Sequence, residues 1–471
     1  MERRLYVLAA AAFIVAAVLG SAWFTGQFTT PAVDRTDGYV SELAARDQPW
    51  TRLFRVSDAL SGLACVAGVA LVPRVAREWP GWLALAAYGV LTFVSGLFPL
   101  DCAALSDPAC GQRAMSYGHR VHTLAGVLAT LAVLAAMVLV SSRWRSWVSW
   151  LFTWLTLAAT LLTVAAHADG HGVGIAHRAQ LTMIAVWLVY LAVHLLIADG
   201  PEPGQDADPA TGYGRPHVVE QGAGPAVLIT GGHAAAWYHW DAVAGELARS
   251  HRVIRFDRPG LGLSPRSTTP PTLYAEVARL AALAPAHPEQ VTVVAHGVSC
   301  WHAEAFARLH PLCAAKLVLV DPACARARRQ YALASNTGRW LPALGGTWGA
   351  TVLARLTGPA AHRLLTGGPD PLGVYSMGKV PVAVAGEWLA RRDMAADLRR
   401  IRLEKPFPDV PVTVISAGEA DGCHERLARD LRAKLVRLPE SGHQVHLQDP
   451  EAIIAAVLVV PGSGLAPCPN G

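Results

Sequence analysis

Charge is scarce in this sequence and cysteine is scattered. Only 16% of the 471 residues are Asp, Glu, Lys or Arg, against 52% hydrophobic, which is too apolar for a wholly soluble chain and assigns part of it to a membrane. The net charge of +5 is small for this length, and the arginines flank apolar stretches instead of forming one basic face, so nucleic-acid binding gains no support. Eight cysteines, without a Cys-x-x-Cys pair or a tight His/Cys cluster, argue against a disulfide scaffold and against a structural zinc site. Only Cys102 and Cys110 look like a pair.

What the sequence has instead is long apolar runs, near Tyr6 to Trp23, Leu53 to Val72, Trp82 to Leu100, Val121 to Val140, Trp147 to Ala166 and Ile175 to Ala198. Each approaches the roughly 20 residues that cross a bilayer, so about six spans are expected, the first being a retained helix and not a cleaved signal peptide. Arg3 and Arg4 precede the first run, Arg74 and Arg77 lie between the second and third, and Arg143 and Arg145 between the fourth and fifth. Cationic residues in short loops stay on the cytoplasmic side, which places the amino terminus and the carboxy-terminal half inside. Trp144, Trp147, Trp150 and Trp154 then form an interfacial aromatic group with no need of a catalytic explanation.

Beyond Ala198 the composition changes to "DGPEPGQDADPATGYGRP", a linker that cannot bury a core. The expected organisation is a membrane bundle over 1–198, a linker over 199–216, an α/β domain over 217–462 and a tail over 463–471. In the α/β domain the strand-like runs "AVLIT", "HRVIRFD", "VTVVA", "KLVLVD", "PVTVIS" and "KLVRLP" alternate with helical stretches. Such alternation predicts a mostly parallel sheet with helices on both faces.

Four stretches, in order, resemble the α/β-hydrolase superfamily: "VLITGGHAAAWYHWDAVAGELA", "VIRFDRPGLGLSP", "VTVISAGEADG" and "LPESGHQVHLQDPEAI". The resemblance implies that fold, with a helical lid near 325–400, and it carries roles to matching positions. The first stretch would lend an oxyanion loop at Gly231, Gly232 and His233, joined by Val298 after the elbow. The third would place a catalytic acid at Asp421, with Glu419 as a neighbour on the same loop. The fourth would place a general base at His443. In "VTVVAHGVSCWHAEAFARLHP" the strand-to-helix elbow that presents a nucleophile needs small residues two before and two after its tip. Ala295 and Ser299 satisfy this around Gly297, whereas Trp301 would crowd a tip at Ser299 and His302 a tip at Cys300. Gly297 is therefore the expected nucleophile position, without an attacking oxygen; a loosened turn presenting Ser299 stays open as the alternative. An imidazole held by a carboxylate remains a competent base without a covalent intermediate.

The amino-terminal half resembles an uncharacterised bacterial family of six-span integral membrane proteins, itself similar to the DRAM-type group, through "YVSELAARDQPWTRLFRVSD", "FPLDC" and "SYGHRVHTLAG". That resemblance implies topology and a plasma-membrane location, not a reaction. Asp101, His119, His122, His167 and His171 fall near its predicted outer face. A zinc site there is conceivable by residue type; a polar loop of interfacial histidines is the expected reading, with no metal and no cofactor. Taken together, a membrane-tethered protein is expected, its cytoplasmic hydrolase-type domain acting on or binding a small lipophilic ester- or amide-like molecule, with activity lost or unconventional. Two other readings stay open: a ligand-binding pseudoenzyme coupled to the bundle, and a metal-assisted outer-face hydrolase. The bilayer and a small molecule are the expected partners.

Overall fold

The computed structural model describes residues 2–73, 78–107, 109–110, 114–197, 215–267, 269–324, 341–418 and 422–459. The chain divides into two units, Met1–Glu202 with Thr347–Gly349, and Pro203–Gly346 with Ala350–Gly471.

The first unit is helical. α1 (Glu2–Gly20) leads into the short α2 (Trp23–Thr29), followed by α3 (Thr51–Leu71), α4 (Trp79–Leu97), α5 (Tyr117–Trp144), α6 (Trp147–Asp169) and α7 (Val173–Ile197). With α1 and α2 taken as one run, six helices among the described residues are long and apolar enough to cross a membrane, in line with the sequence expectation. Their large side chains divide between an inner core containing Phe13, Trp82, Met137 and Trp187 and an outer surface of exposed leucine and valine. Close approach depends on small residues. A Cβ on Gly62 would stand 2.4 Å from the Gly89 carbonyl oxygen, so α3 and α4 touch backbone to backbone. Between the helices, a 3-10 turn (Val40–Ala44) buries Glu42, whose carboxylate accepts the Leu105 N–H at 2.7 Å and the Ser106 hydroxyl at 2.5 Å. The same loop is closed by a Cys102–Cys110 disulfide with Cα atoms 5.9 Å apart.

Among the described residues the second unit carries seven strands: β1 (Val218–Gln221), β2 (Ala226–Thr230), β3 (Arg252–Phe256), β4 (Val291–His296), β5 (Ala314–Val320), β6 (Val412–Ala417) and β7 (Lys434–Leu438). Their order is β1-β3-β2-β4-β5-β6-β7, antiparallel only at β1. The central strands are buried on both faces, as in sheets covered by helices. Residues alternate between two cores: Ala226, Leu228, Val291, Val293 and Ala295 face one, and Val227, Ile229 and Val294 the other. The flanking helices are α8 (Asp241–Leu247), α9 (Leu273–Leu283), α10 (Ser299–Leu309), α14 (Gly422–Asp430), α15 (Val445–Gln448) and α16 (Pro450–Leu458). The lid expected near 325–400 is helical where described: α11 (Leu341–Leu344), α12 (Trp348–Thr366) and α13 (Lys379–Glu404) intervene between β5 and β6. Parallel strands bring their carboxyl ends to one edge, where α/β sheets build their sites.

The backbone contact between α3 and α4 leaves no room for a branched side chain. Gly62→Ile is expected to cost about 1–3 kcal/mol through overpacking, read as a lower thermal midpoint of the full chain in detergent. An unchanged midpoint would contradict the contact.

Candidate functional site

β4 ends at His296 and α10 begins at Ser299, so the chain reverses within Gly297 and Val298. Gly297 has φ +57, a region that an L side chain enters only with strain. Its N–H donates to the Val320 carbonyl and its own carbonyl accepts the Ala323 N–H, each at 3.0 Å, which fastens the turn to the end of β5. A Cβ at Gly297 would lie 3.6 Å from both Cε1 and Nε2 of His443 and 3.8 Å from the Gly232 Cα. The turn therefore faces the imidazole and the loop after β2.

His443, between β7 and α15, directs Nδ1 to the Oδ2 of Asp321 at 2.5 Å. Asp321 closes β5, has φ +41, and accepts the Ala417 N–H at 3.1 Å on its other oxygen. Burial pushes its carboxyl up, but the hydrogen bonds from His443 and Ala417 and the nearby imidazoles outweigh that and hold it below the usual carboxylate range. Asp421, expected as the acid, lies outside the described residues, as does Glu419; the carboxylate on His443 is Asp321. The physical reason is the strand order: β5 and β6 are neighbours and both end at the site edge, so either end could carry the acid.

Ser299 does not face His443. Its hydroxyl is fully buried, donates to the Gly231 carbonyl at 2.6 Å and accepts from Arg258 Nη1 at 3.0 Å. The tight turn, not the loosened one, is what forms.

The loop after β2 is held from behind by Arg258. Its guanidinium, 3% exposed, donates to the carbonyls of Gly231 and Gly232, the latter at 2.7 Å, and takes Glu387 of α13 in a bidentate pair at 2.6 and 2.9 Å. In a planar trans peptide the N–H points opposite to the C=O, so this grip turns the N–H groups of Gly232 and His233 away from Arg258. Among the described residues, neither the His233 nor the Val298 N–H meets an acceptor. Unengaged backbone donors are the groups that an oxyanion would require. Gly232 can only be glycine here, since a Cβ would stand 2.3 Å from His296 Nδ1. His233 places Nδ1 3.4 Å from Glu387 Oε2. Burial raises the Glu387 carboxyl, yet the Arg258 charge and the contacts from His233 and Arg258 bring it down to about 2.

Behind these groups lies a set of buried histidines. His296 donates through Nε2 to the His443 carbonyl at 2.8 Å, and His446 stacks on Trp240 at 4.4 Å between ring centroids. Burial pushes His239 and His296 down to about 4, His302 to about 3 and His446 to about 2.

In the helical unit the five residues weighed as metal ligands do not converge on one point; Asp101 and His119 alone meet, through a backbone N–H. His119 Nδ1 accepts the Asp101 N–H at 3.3 Å, and the Asp101 carboxylate accepts from Ser116 at 2.7 and 2.8 Å. His122 Nδ1 meets the carbonyls of Ser95 and Phe98 at 2.9 and 2.8 Å. His167 lies against Tyr39, and His171 is 4.0 Å from Asp37. Among the described residues no group of three or more His, Cys, Asp or Glu could hold a metal ion.

Three features escaped the sequence reading: the role of Asp321, the Arg258–Glu387 pair and a disulfide joining Cys324 to Cys423, 99 residues apart. "KLVLVD" does end a strand in aspartate and "DRPG" does contain the arginine, but nothing local names their partners.

Residues 7–194 match a family described as a protein of unknown function (DUF998), and residues 226–456 match the alpha/beta hydrolase family. Solved structures similar to the C-terminal half include an alpha/beta hydrolase fold protein from Burkholderia ambifaria, 23% identical, covering 51% of this chain and 92% of that one at a TM-score of 0.39. Cfl2 from Burkholderia cenocepacia is 22% identical, with 53% and 92% covered and a TM-score of 0.40. The epoxide hydrolase CorEH is 20% identical, with 52% and 94% covered and a TM-score of 0.41. No curated protein matches the chain.

Two outcomes follow from the electrostatics. Glu387→Leu strands the Arg258 charge in the interior and is expected to cost about 3–5 kcal/mol, much of it recovered when Arg258→Met is added; thermal midpoints of the two variants in detergent decide this. The buried histidines bind protons only when the chain unfolds, at about pH 6.5. Their folded values are depressed, so the stability they contribute is lost as pH falls below about 6.5 towards 4, at up to about 1.4 kcal/mol per pH unit for each. The midpoint of the full chain should therefore fall between pH 7.5 and 5, and His446→Phe should flatten that fall by about one proton.

Proposed function

We propose that this chain, which joins an alpha/beta hydrolase family domain to a multi-span membrane region, acts from the cytoplasmic face on a small lipophilic ester- or amide-like molecule without forming a covalent intermediate. The observation that carries the reading is the 3.6 Å between a Cβ at Gly297 and the His443 ring. Gly297 occupies the nucleophile position, and an acyl-enzyme is then chemically closed. His443, oriented by Asp321, takes a proton from water through Nε2 as the water oxygen attacks the carbonyl carbon. The resulting oxyanion is received by the N–H groups of His233 and Val298, and the proton passes to the departing alcohol or amine. The cytoplasmic assignment rests on Arg3 and Arg4 before the first span, Arg74 and Arg77 between the second and third, and Arg143 and Arg145 between the fourth and fifth. A second reading, ligand binding without turnover, is favoured by the same glycine, which removes the most reactive atom of the fold.

The test uses the full chain in detergent, with fluorophosphonate labelling and short-chain ester turnover measured for wild type, Gly297→Ser, Ser299→Ala, Asp321→Asn and His443→Ala. Wild type should resist labelling yet turn over ester slowly, and His443→Ala or Asp321→Asn should lower that turnover by about 10²-fold or more. Gly297→Ser should gain labelling that depends on His443. No turnover in wild type, with labelling gained by Gly297→Ser, would select the binding reading. Labelling of wild type that Ser299→Ala abolishes would overturn both.

A further inference from the structure

We propose that α12 (Trp348–Thr366) is an interfacial helix whose outer face lies in the headgroup region of the bilayer that holds the six spans. It rests on the reading of those helices as membrane spans. Along α12, Thr351, Ala354, Gly358 and His362 are buried, and at about 100° per residue they form one stripe. Val352, Leu353, Leu356 and Leu364 are exposed by 54%, 54%, 76% and 88%. They fall within about 120° of arc on the opposite side. A soluble domain gains nothing by turning four large aliphatic side chains outward on one helix face, and such a patch marks a surface meant to be covered.

The chemistry favours a bilayer as the cover. No Asp or Glu occurs between Trp348 and Thr366, whereas Arg355 and Arg363 are present and exposed. Arg355 stands at the edge of the apolar face and Arg363 within it, and such guanidinium groups suit the boundary between acyl chains and anionic headgroups, where they can reach outward. The domain is also confined near that surface. The 21 residues from Ile197, where α7 ends, to Val218, where β1 begins, span at most about 70 Å even when fully extended.

The inner face of α12 reaches the candidate site. His362 Nε2 lies 3.1 Å from His239 Nε2, and a Cβ on Gly358 would collide with the Tyr375 carbonyl oxygen. Tyr375 in turn donates its hydroxyl to the carbonyl of Ala234, next to His233. A helix seated in the interface would thus join the lipid phase to the oxyanion loop through one tyrosine. This is the side from which a lipophilic molecule already dissolved in the membrane would enter.

The test places an environment-sensitive fluorophore at Leu356→Cys or Leu364→Cys in the full chain, in a Cys313→Ser, Cys468→Ser background, reconstituted in vesicles of zwitterionic and anionic phospholipid. Nitroxide-labelled lipid should lower emission at both positions at least twofold, and aqueous iodide should have little effect. The same fluorophore at Arg429→Cys on α14 should show the reverse. Iodide quenching without lipid quenching at 356 and 364 overturns the proposal. So does protection from both quenchers, with sensitivity to protein density pointing to a second copy and insensitivity to another segment of this chain. A probe at Leu128→Cys, exposed on α5, reports separately: if lipid does not quench it, the six-span reading fails and the proposal falls with it. Thermal midpoints matching wild type show that the labelled chains are folded.

Discussion

A single buried guanidinium fixes the arrangement of four separate elements. Arg258, on the loop after β3, meets the loop after β2 at two carbonyls, the start of α10 at Ser299, and α13 of the lid at Glu387. Arginine suits this place because its planar fork presents donors in two directions at once. A buried charge is tolerated only while every side of it is answered, so none of the four elements can move alone without exposing the cost. Motion in the lid is therefore confined to parts that Arg258 does not hold.

At the elbow the proposed reading turns on Gly297, which offers no attacking oxygen. A nucleophile there must endure positive φ, and the surrounding structure must oppose the strain. Glycine at 297 endures it without cost. Asp321, only one strand away, still holds φ +41 and still meets His443 at 2.5 Å. Asp tolerates that region better than most residues, but it gains nothing from it unless the carboxylate is needed where it stands. A glycine turn beside an aspartate held at positive φ is the contrast on which the proposed non-covalent reading rests.

How far the sequence could be read depended on the range of the interaction. Six apolar runs, the alternation of strands and helices and the order of the motifs were all legible, because each is set by periodicity or by neighbours along the chain. The acid was not. "KLVLVD" and "VTVISAGEADG" both end near an aspartate, and only the parallel pairing of β5 with β6 brings Asp321 to His443. The Arg258–Glu387 pair joins residues 129 apart in sequence, and the Cys324–Cys423 bond joins residues 99 apart. Neither leaves a local trace. The histidines of the helical unit show the converse: His119 and His122 are spaced to share a helix face, but each is taken up by different backbone groups. Spacing brought candidates together that hydrogen bonding keeps apart.

Joining such a site to a membrane changes what it must accomplish. A serine enzyme can retain its substrate by a covalent bond; a site without a nucleophile must hold its ligand by contacts alone, and those contacts must outweigh the entropy of association. Were the ligand a lipophilic molecule dissolved in the bilayer, as proposed, the tether would act as an effective concentration. Less intrinsic affinity is then needed for the same occupancy. On the proposed reading, a site without an attacking oxygen and a six-helix region are compatible in one chain, because the second would lower the affinity that the first demands.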